Sequence, residues 1–154
     1  MPTYRRATAD DARELARLRA ASFAEDHPDE PVPEAFAREF AAFARAALPE
    51  RWTAWVAEEG GTLVANVWVH EVPKVPRPNR TTRAWGYVTN VYAVPSARDA
   101  GIGTALLGHV ARWARERDLE LLLVWPSERS VPFYERAGFG ATGALECEIG
   151  GYED

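Results

Sequence analysis

Cysteine is almost missing from this chain of 154 residues: Cys147 stands alone. A single cysteine closes no intrachain disulfide, and no C-x-x-C pair or histidine-rich cluster gives the spacing of a zinc site. Free cysteine packs as a small apolar group, so Cys147 is expected as a buried strand residue rather than a reactive thiol. Long basic runs are lacking too. With 18 lysines and arginines against 23 aspartates and glutamates, the formal charge of −5 opposes a nucleic-acid backbone or an anionic membrane. No segment is long and apolar enough to span a bilayer. The alanine-rich stretch after Arg6 is broken by Asp10, Asp11, Arg13 and Glu14, which leaves no apolar core for a signal segment. These absences predict a cytoplasmic protein with no metal, no nucleic-acid partner and no membrane partner.

What is present suits one sizeable core, because 47% of the residues are hydrophobic, and a single domain over residues 1–154 is expected. Thr3 to Arg6 is a short extended start. Thr8, with Asp11 three residues on, has the pattern of a capped helix, and Leu15, Leu18 and Phe23 form a partly helical stripe that fades near Ser22 to Glu25. The acidic, proline-broken stretch Glu25 to Pro31 reads as a loop before a second helix from about Pro33 to Leu48. In that helix Phe36, Phe40 and Phe43 recur at helical spacing and are expected as core contacts.

Three strands follow, Trp52 to Glu58, Thr62 to Val72 and Trp85 to Val94, rich in valine, threonine and aromatics. Glu59-Gly60-Gly61 makes the first two a hairpin. Pro73 to Arg83, with Lys74, Arg77, Arg80 and Arg83, reads as a solvated connection, a contact with an acidic ligand being the alternative. Ile102 to Arg117 is helical, with Ile102, Ala105, Leu106, Val110 and Trp113 on one face. Leu119 to Trp125 is a nearly continuous apolar run, as in a strand covered on both faces. A short helix from Ser130 to Ala137 ends at Gly138, which suits a left-handed cap, and a last extended segment runs from about Gly143 to Ile149. The order is strand, two helices, three strands, helix, strand, helix, strand.

One segment points to chemistry: Tyr92-Ala93-Val94-Pro95-Ser96-Ala97-Arg98-Asp99-Ala100-Gly101-Ile102-Gly103-Thr104. A strand ends, a turn carries an arginine and two glycines, and a helix begins. Helix starts leave N–H groups unpaired at the positive end of the dipole, and glycines let a phosphate come close to them. A P-loop would need Lys and then Ser or Thr after the last glycine, where Thr104 and Ala105 stand. A dinucleotide fold would need a third glycine where Leu106 stands. A structural helix start, with glycine for close packing, has the same spacing.

Arg98-Asp99-Ala100-Gly101-Ile102-Gly103 resembles the Arg/Gln-x-x-Gly-x-Gly/Ala pattern of the GNAT N-acetyltransferases, and Tyr134 followed by Gly138-Phe139 is similar to the closing segment of that family. The element order matches as well. The resemblance implies an α/β (α+β) fold: a central mixed, mostly antiparallel sheet, helices on both faces, and a splay between the fourth and fifth strands. It further implies acetyl-CoA as co-substrate and transfer of its acetyl group to a primary amine of a small molecule or peptide in a ternary complex. Position by position, it implies that Val91, Tyr92 and Ala93 pair with the pantetheine arm, that Arg98, Asp99, Ala100, Gly101, Ile102, Gly103 and Thr104 wrap the pyrophosphate, and that Tyr134 protonates the departing thiolate. A thiol titrates near pKa ~8.5 and a phenol near ~10, so a phenol held at the sulfur can donate as charge develops. A backbone N–H freed at a bulge of the fourth strand would serve the oxyanion.

Two departures stand out. Ser127 occupies the position where the family often has a cofactor-binding asparagine, and the glutamate that some members carry on the fifth strand is replaced by Leu121, Leu122 and Leu123. An ammonium acceptor must lose a proton before it attacks, so Glu71, His70, or a water held by Asn90 or Tyr92 are the candidate bases. The acidic residues Glu25, Asp26, Asp29 and Glu30 would draw in a cationic acceptor such as a polyamine, an aminoglycoside or a lysine side chain, or are simply solvated. Trp68 and Trp85 either flank the cleft or pack in the core. A domain that binds acyl-CoA without turnover, as a sensor or scaffold, is the alternative function. Homodimers are common in the family, and no segment here identifies an interface.

Overall fold

Valine, tryptophan and tyrosine at alternate positions build the sheet on which the chain folds. The computed structural model describes residues 1–79 and 84–151, so Arg80 and Arg83 of the basic connection lie outside the described residues. Five strands stand in the order β1 (Thr3–Arg6), β2 (Thr53–Glu59), β3 (Thr62–Pro73), β4 (Ala84–Ala93) and β5 (Leu122–Val124). Neighbours are antiparallel except β4 and β5, which run parallel. The β2–β3 turn has Gly60 at φ 56° and Gly61 at φ 78°, the left-handed pair that a tight two-residue hairpin requires.

Strand alternation sends Ala54, Val56 and Trp68 to one face. There they meet α1 (Ala12–Asp26) and α2 (Phe36–Ala47) through Leu15, Leu18, Ala41 and Ala44. The opposite face carries Trp55 and Val67, cross-strand partners in β2 and β3. It is covered by α3 (Ile102–Glu116), whose His109 stacks on Trp55 and whose Ile102, Leu106, Val110 and Trp113 are buried. The start of α1 is prepared by Thr8, whose N–H donates to Asp11 Oδ2 at 2.8 Å while its hydroxyl accepts from Asp10 N–H.

Some expectations are corrected here. Helix α1 continues through Glu25 to Asp26 instead of fading before them. In α2 the buried positions are Ala41, Ala44 and Ala47, while Phe43 is 44% exposed. The alanines pack α2 against α1, and the phenyl rings reach the core from the side, Phe40 being partly buried against it as expected. The rings gather at the flank of α2, Phe40 edge-on and Phe43 stacked against buried Trp68. The run from Leu119 to Trp125 gives only a three-residue strand, with Leu121 50% exposed, and among the described residues β5 has a neighbour on one side only.

The described residues divide into two compact units, with the boundary after Val124. In the second unit a 3-10 turn (Glu128–Ser130) leads into α4 (Val131–Arg136), which closes at Gly138 with φ 99°, the left-handed cap its sequence predicts. Over residues 140–151 no helix or strand forms. The strand expected from Gly143 to Ile149 is absent, Leu145 and Ile149 are 99% and 92% exposed, and Cys147 is exposed rather than buried. Apolar residues do alternate with Glu146 and Glu148, but a strand needs a neighbour for its peptide groups, and no ladder includes this segment. Among the described residues, no helix is long and apolar enough to cross a membrane, and no group of His, Cys, Asp or Glu is placed to hold a metal ion.

Candidate functional site

The site begins where β4 parts from β5. Their pairing covers Gly86–Val88 against Leu122–Val124. At Gly86 a Cβ would stand 2.7 Å from Leu122 Cδ2 and 3.2 Å from Val69 Cγ1, so any larger residue there would force those side chains to shift. From Thr89 to Ala93, β4 has β3 on one side and, among the described residues, no strand on the other, which is the splay that the family resemblance implied. The irregularity is built into β4 itself. Trp68 pairs with Thr89 and Asn66 with Tyr92, so Asn90 and Val91 together oppose Val67 as a bulge, with Asn90 left-handed at φ 51°. Val94 N–H donates to Val64 O, toward β3. By strand alternation the peptide groups of Ala93 point the other way, to the open side.

The chain then turns through Pro95–Ala97 into the predicted phosphate turn. Asp99 and Gly101 are both left-handed, at φ 62° and 77°, and α3 begins at Ile102. No side chain caps this helix start, and Asp99, Ala100, Gly101 and Thr104 are exposed. Alternating left-handed residues before a helix N-terminus curl successive N–H groups into an anion-binding concavity, to which the helix dipole adds positive potential. The sequence-predicted residues Arg98 to Thr104 are thus gathered in one turn at the end of the open strand Val91–Ala93.

Arg98 adds a contact that the sequence did not reveal. Its guanidinium donates to both carboxylate oxygens of Glu25 at 2.9 and 2.7 Å, its Nε donates to Ala93 O at 3.0 Å, and it lies over the Tyr92 ring. The Tyr92 hydroxyl donates to the same carboxylate at 3.3 Å. Burial, and then the Glu25 charge, push the Tyr92 phenol above its ordinary range, so it stays a neutral donor. Glu25 is therefore paired with the turn that carries Arg98.

The candidate bases fare differently. Glu71 pairs with Arg117, just beyond the C-terminus of α3, and His70 Nδ1 lies 2.9 Å from Arg51 O with its ring against Trp52. Both line a cleft of about 450 Å³ with Arg6, Arg51, Thr53 and Trp113. That cleft lies at the opposite end of α3 from Gly101, roughly 22 Å away at 1.5 Å per residue. In the second unit Tyr134 is buried, with its ring edge-on to Phe133 at 5.0 Å and to Phe139 at 5.5 Å. Burial pushes its phenol up to about 12. The Ser127 hydroxyl donates to Ser130 Oγ at 3.0 Å, and Ser130 Oγ donates back to Ser127 O.

Known proteins resemble this chain over most of its length. The model of the acetyltransferase (GNAT) family matches residues 12–139. A predicted acetyltransferase from Clostridium acetobutylicum, solved with acetyl-CoA, superposes with a TM-score of 0.78 at 27% identity, covering 96% of each chain. A GCN5-related N-acetyltransferase from Ralstonia eutropha JMP134 does so at 0.77 and 27%, covering 98% of this chain and all of that one. Glucosamine 6-phosphate N-acetyltransferase of Trypanosoma brucei brucei is 38% identical over 66 residues, 43% of this chain, which spans only 45% of that relative's length.

Proposed function

Since the chain belongs to the GNAT family of acetyltransferases, we propose that it moves the acetyl group of acetyl-CoA onto a primary amine of a small molecule or peptide, by direct attack in a ternary complex. The observation that carries this reading is the open edge of β4, Val91 to Ala93, running straight into the left-handed turn and uncapped start of α3. A long ligand with amides in its arm and a pyrophosphate at its end fits such a groove: the strand edge offers peptide partners and the helix start offers N–H donors. The family match over residues 12–139 runs across the boundary at Val124, which supports reading both units as parts of one catalytic domain.

Bound acetyl-CoA supplies the activated thioester. Residues Arg98 to Thr104 hold its pyrophosphate, Val91, Tyr92 and Ala93 its arm, and Ser127 offers a hydroxyl in place of the usual asparagine amide. A bulge N–H beside Asn90 meets the oxygen that gains negative charge. Tyr134 donates a hydrogen bond from its O–H to the leaving sulfur. Its phenol, near 12, is a much weaker acid than a thiol at about 8.5. The proton therefore stays on Tyr134, which stabilises the thiolate through a hydrogen bond and remains competent throughout the neutral and mildly alkaline range. With Glu71 engaged by Arg117, a water held by Asn90 or Tyr92 is the base that fits this end of the sheet.

Calorimetric titration with acetyl-CoA, followed by thiol release across a panel of amines that includes glucosamine 6-phosphate, polyamines and a lysine peptide, tests the reading. Saturable binding with thiol release for at least one amine is expected. A folded sample that binds no acetyl-CoA overturns it, and binding without release on every amine turns it into an acyl-CoA sensor. Tyr134→Phe should lower kcat by about 10²-fold while acetyl-CoA affinity stays within about threefold.

A further inference from the structure

Asn66 is the polar residue buried in the core among the described residues, 0% exposed in the middle of β3. Its side-chain Nδ2 donates to Asn90 O at 2.7 Å, and its Oδ1 accepts from Trp68 Nε1 at 3.3 Å. An indole N–H only donates, so the amide oxygen must face Trp68, and that fixes the NH₂ on Asn90. The carbonyl held in this way belongs to the left-handed residue of the bulge, which no regular ladder would satisfy. From the other side Arg19 of α1 donates to Asn90 Oδ1 at 3.3 Å.

We propose that Asn66 is a positioning residue for acetyl transfer: its amide holds Asn90 in the left-handed conformation and so aims the bulge N–H at the thioester oxygen. The proposal rests on the acetyltransferase reading above. Its physical basis is asymmetry. A left-handed residue inside a strand departs from the extended backbone of its neighbours, and a carbonyl turned out of the ladder is costly to leave without a donor. The bulge therefore persists only because a donor is provided for it. Trp68 completes the arrangement by fixing which end of the amide points where. Asn66 itself touches no reacting atom and acts through Asn90.

Asn66→Leu keeps the volume and removes the donor. Misaim of a reacting group by about 1 Å lowers rate on the order of 10²-fold, so kcat should fall by about that factor while acetyl-CoA affinity stays within about threefold. Val110→Ala, a truncation elsewhere in the core that leaves the bond from Asn66 to Asn90 intact, should change kcat by less than about threefold, although both variants lose stability. A residue of merely structural importance would lower the melting temperature in both variants and leave kcat alone in both. If Asn66→Leu does not fold, Asn66→Ser, too short to reach Asn90, is read in the same way. Backbone NMR of Asn90 gives a readout independent of turnover: left-handed in the wild type, extended in the Asn66 variant. Unchanged kcat with Asn90 still left-handed overturns the proposal. Loss of kcat and of acetyl-CoA affinity by one common factor also overturns it, because the bulge would then serve binding alone. If the wild type releases no thiol with any amine, the acetyltransferase reading is what fails, and the NMR result alone decides whether Asn66 sets the bulge.

Discussion

The two ends of the β3–β4 pair handle polar groups in opposite ways. At the Glu71 end they are satisfied in pairs: Glu71 with Arg117, Lys74 with Glu120, His70 with Arg51 O. At the Asn90 end the backbone departs from its ladder, with Asn90, Asp99 and Gly101 left-handed, and side chains are spent on holding that departure in place. Exposed ion pairs contribute about 0–1 kcal/mol each. A shaped row of N–H donors beside an open strand can bind a whole ligand. Under the proposed function, irregular backbone rather than charge marks where this chain would act.

The contrast breaks most easily at Gly101. A Cβ there meets nothing within 4 Å, but φ of 77° disfavours any other residue. Gly101→Glu should cost about 1–2 kcal/mol of stability and place a carboxylate where the phosphates belong. Calorimetry should find acetyl-CoA binding weakened by at least about 10²-fold. Equal binding by this variant would mean that the turn is only a way to start a helix.

A smaller effect, of the opposite sign, is expected at Glu25. Its carboxylate neutralises Arg98. Glu25→Gln leaves that cation beside the phosphate turn, worth about 1 kcal/mol near water at contact distance. Acetyl-CoA should bind about two- to fivefold tighter at low salt, with the gain fading as salt is added. Weaker binding would show that the pair matters for the shape of the turn more than for its charge.

Much of the body was legible because periodicity and turn chemistry agree there. The Gly60-Gly61 hairpin, the face of α3 and the glycine turn lie where the residues imply. The bulge was harder to read. An asparagine inside an apolar strand, as at Asn66, signals a buried polar group in need of partners, but the sequence does not say that the partner is a bulged carbonyl 24 residues away. Glu25 looked like loop charge because nothing local shows that α1 carries it up to Arg98. The segment from Gly143 to Ile149 failed for the opposite reason. Its alternation is real, yet alternation describes what a strand would bury and does not supply the neighbour it pairs with.

The smallest effect is expected at Glu71, and it decides whether the far end takes part in chemistry at all. Arg117 holds the carboxylate at the opposite end of α3 from the Gly101 turn, and the pair is partly exposed to solvent. Glu71→Gln should change stability by less than about 1 kcal/mol and leave the pH profile of kcat/KM unmoved, since the proton lost by the acceptor amine would go to water near Asn90 or Tyr92. The acidic limb of that profile is the part to watch. A general base loses activity when it is protonated, so if Glu71 served as the base, its removal would flatten that limb and lower the plateau. That result would bring both ends of the β3–β4 pair into the reaction and end the contrast between them.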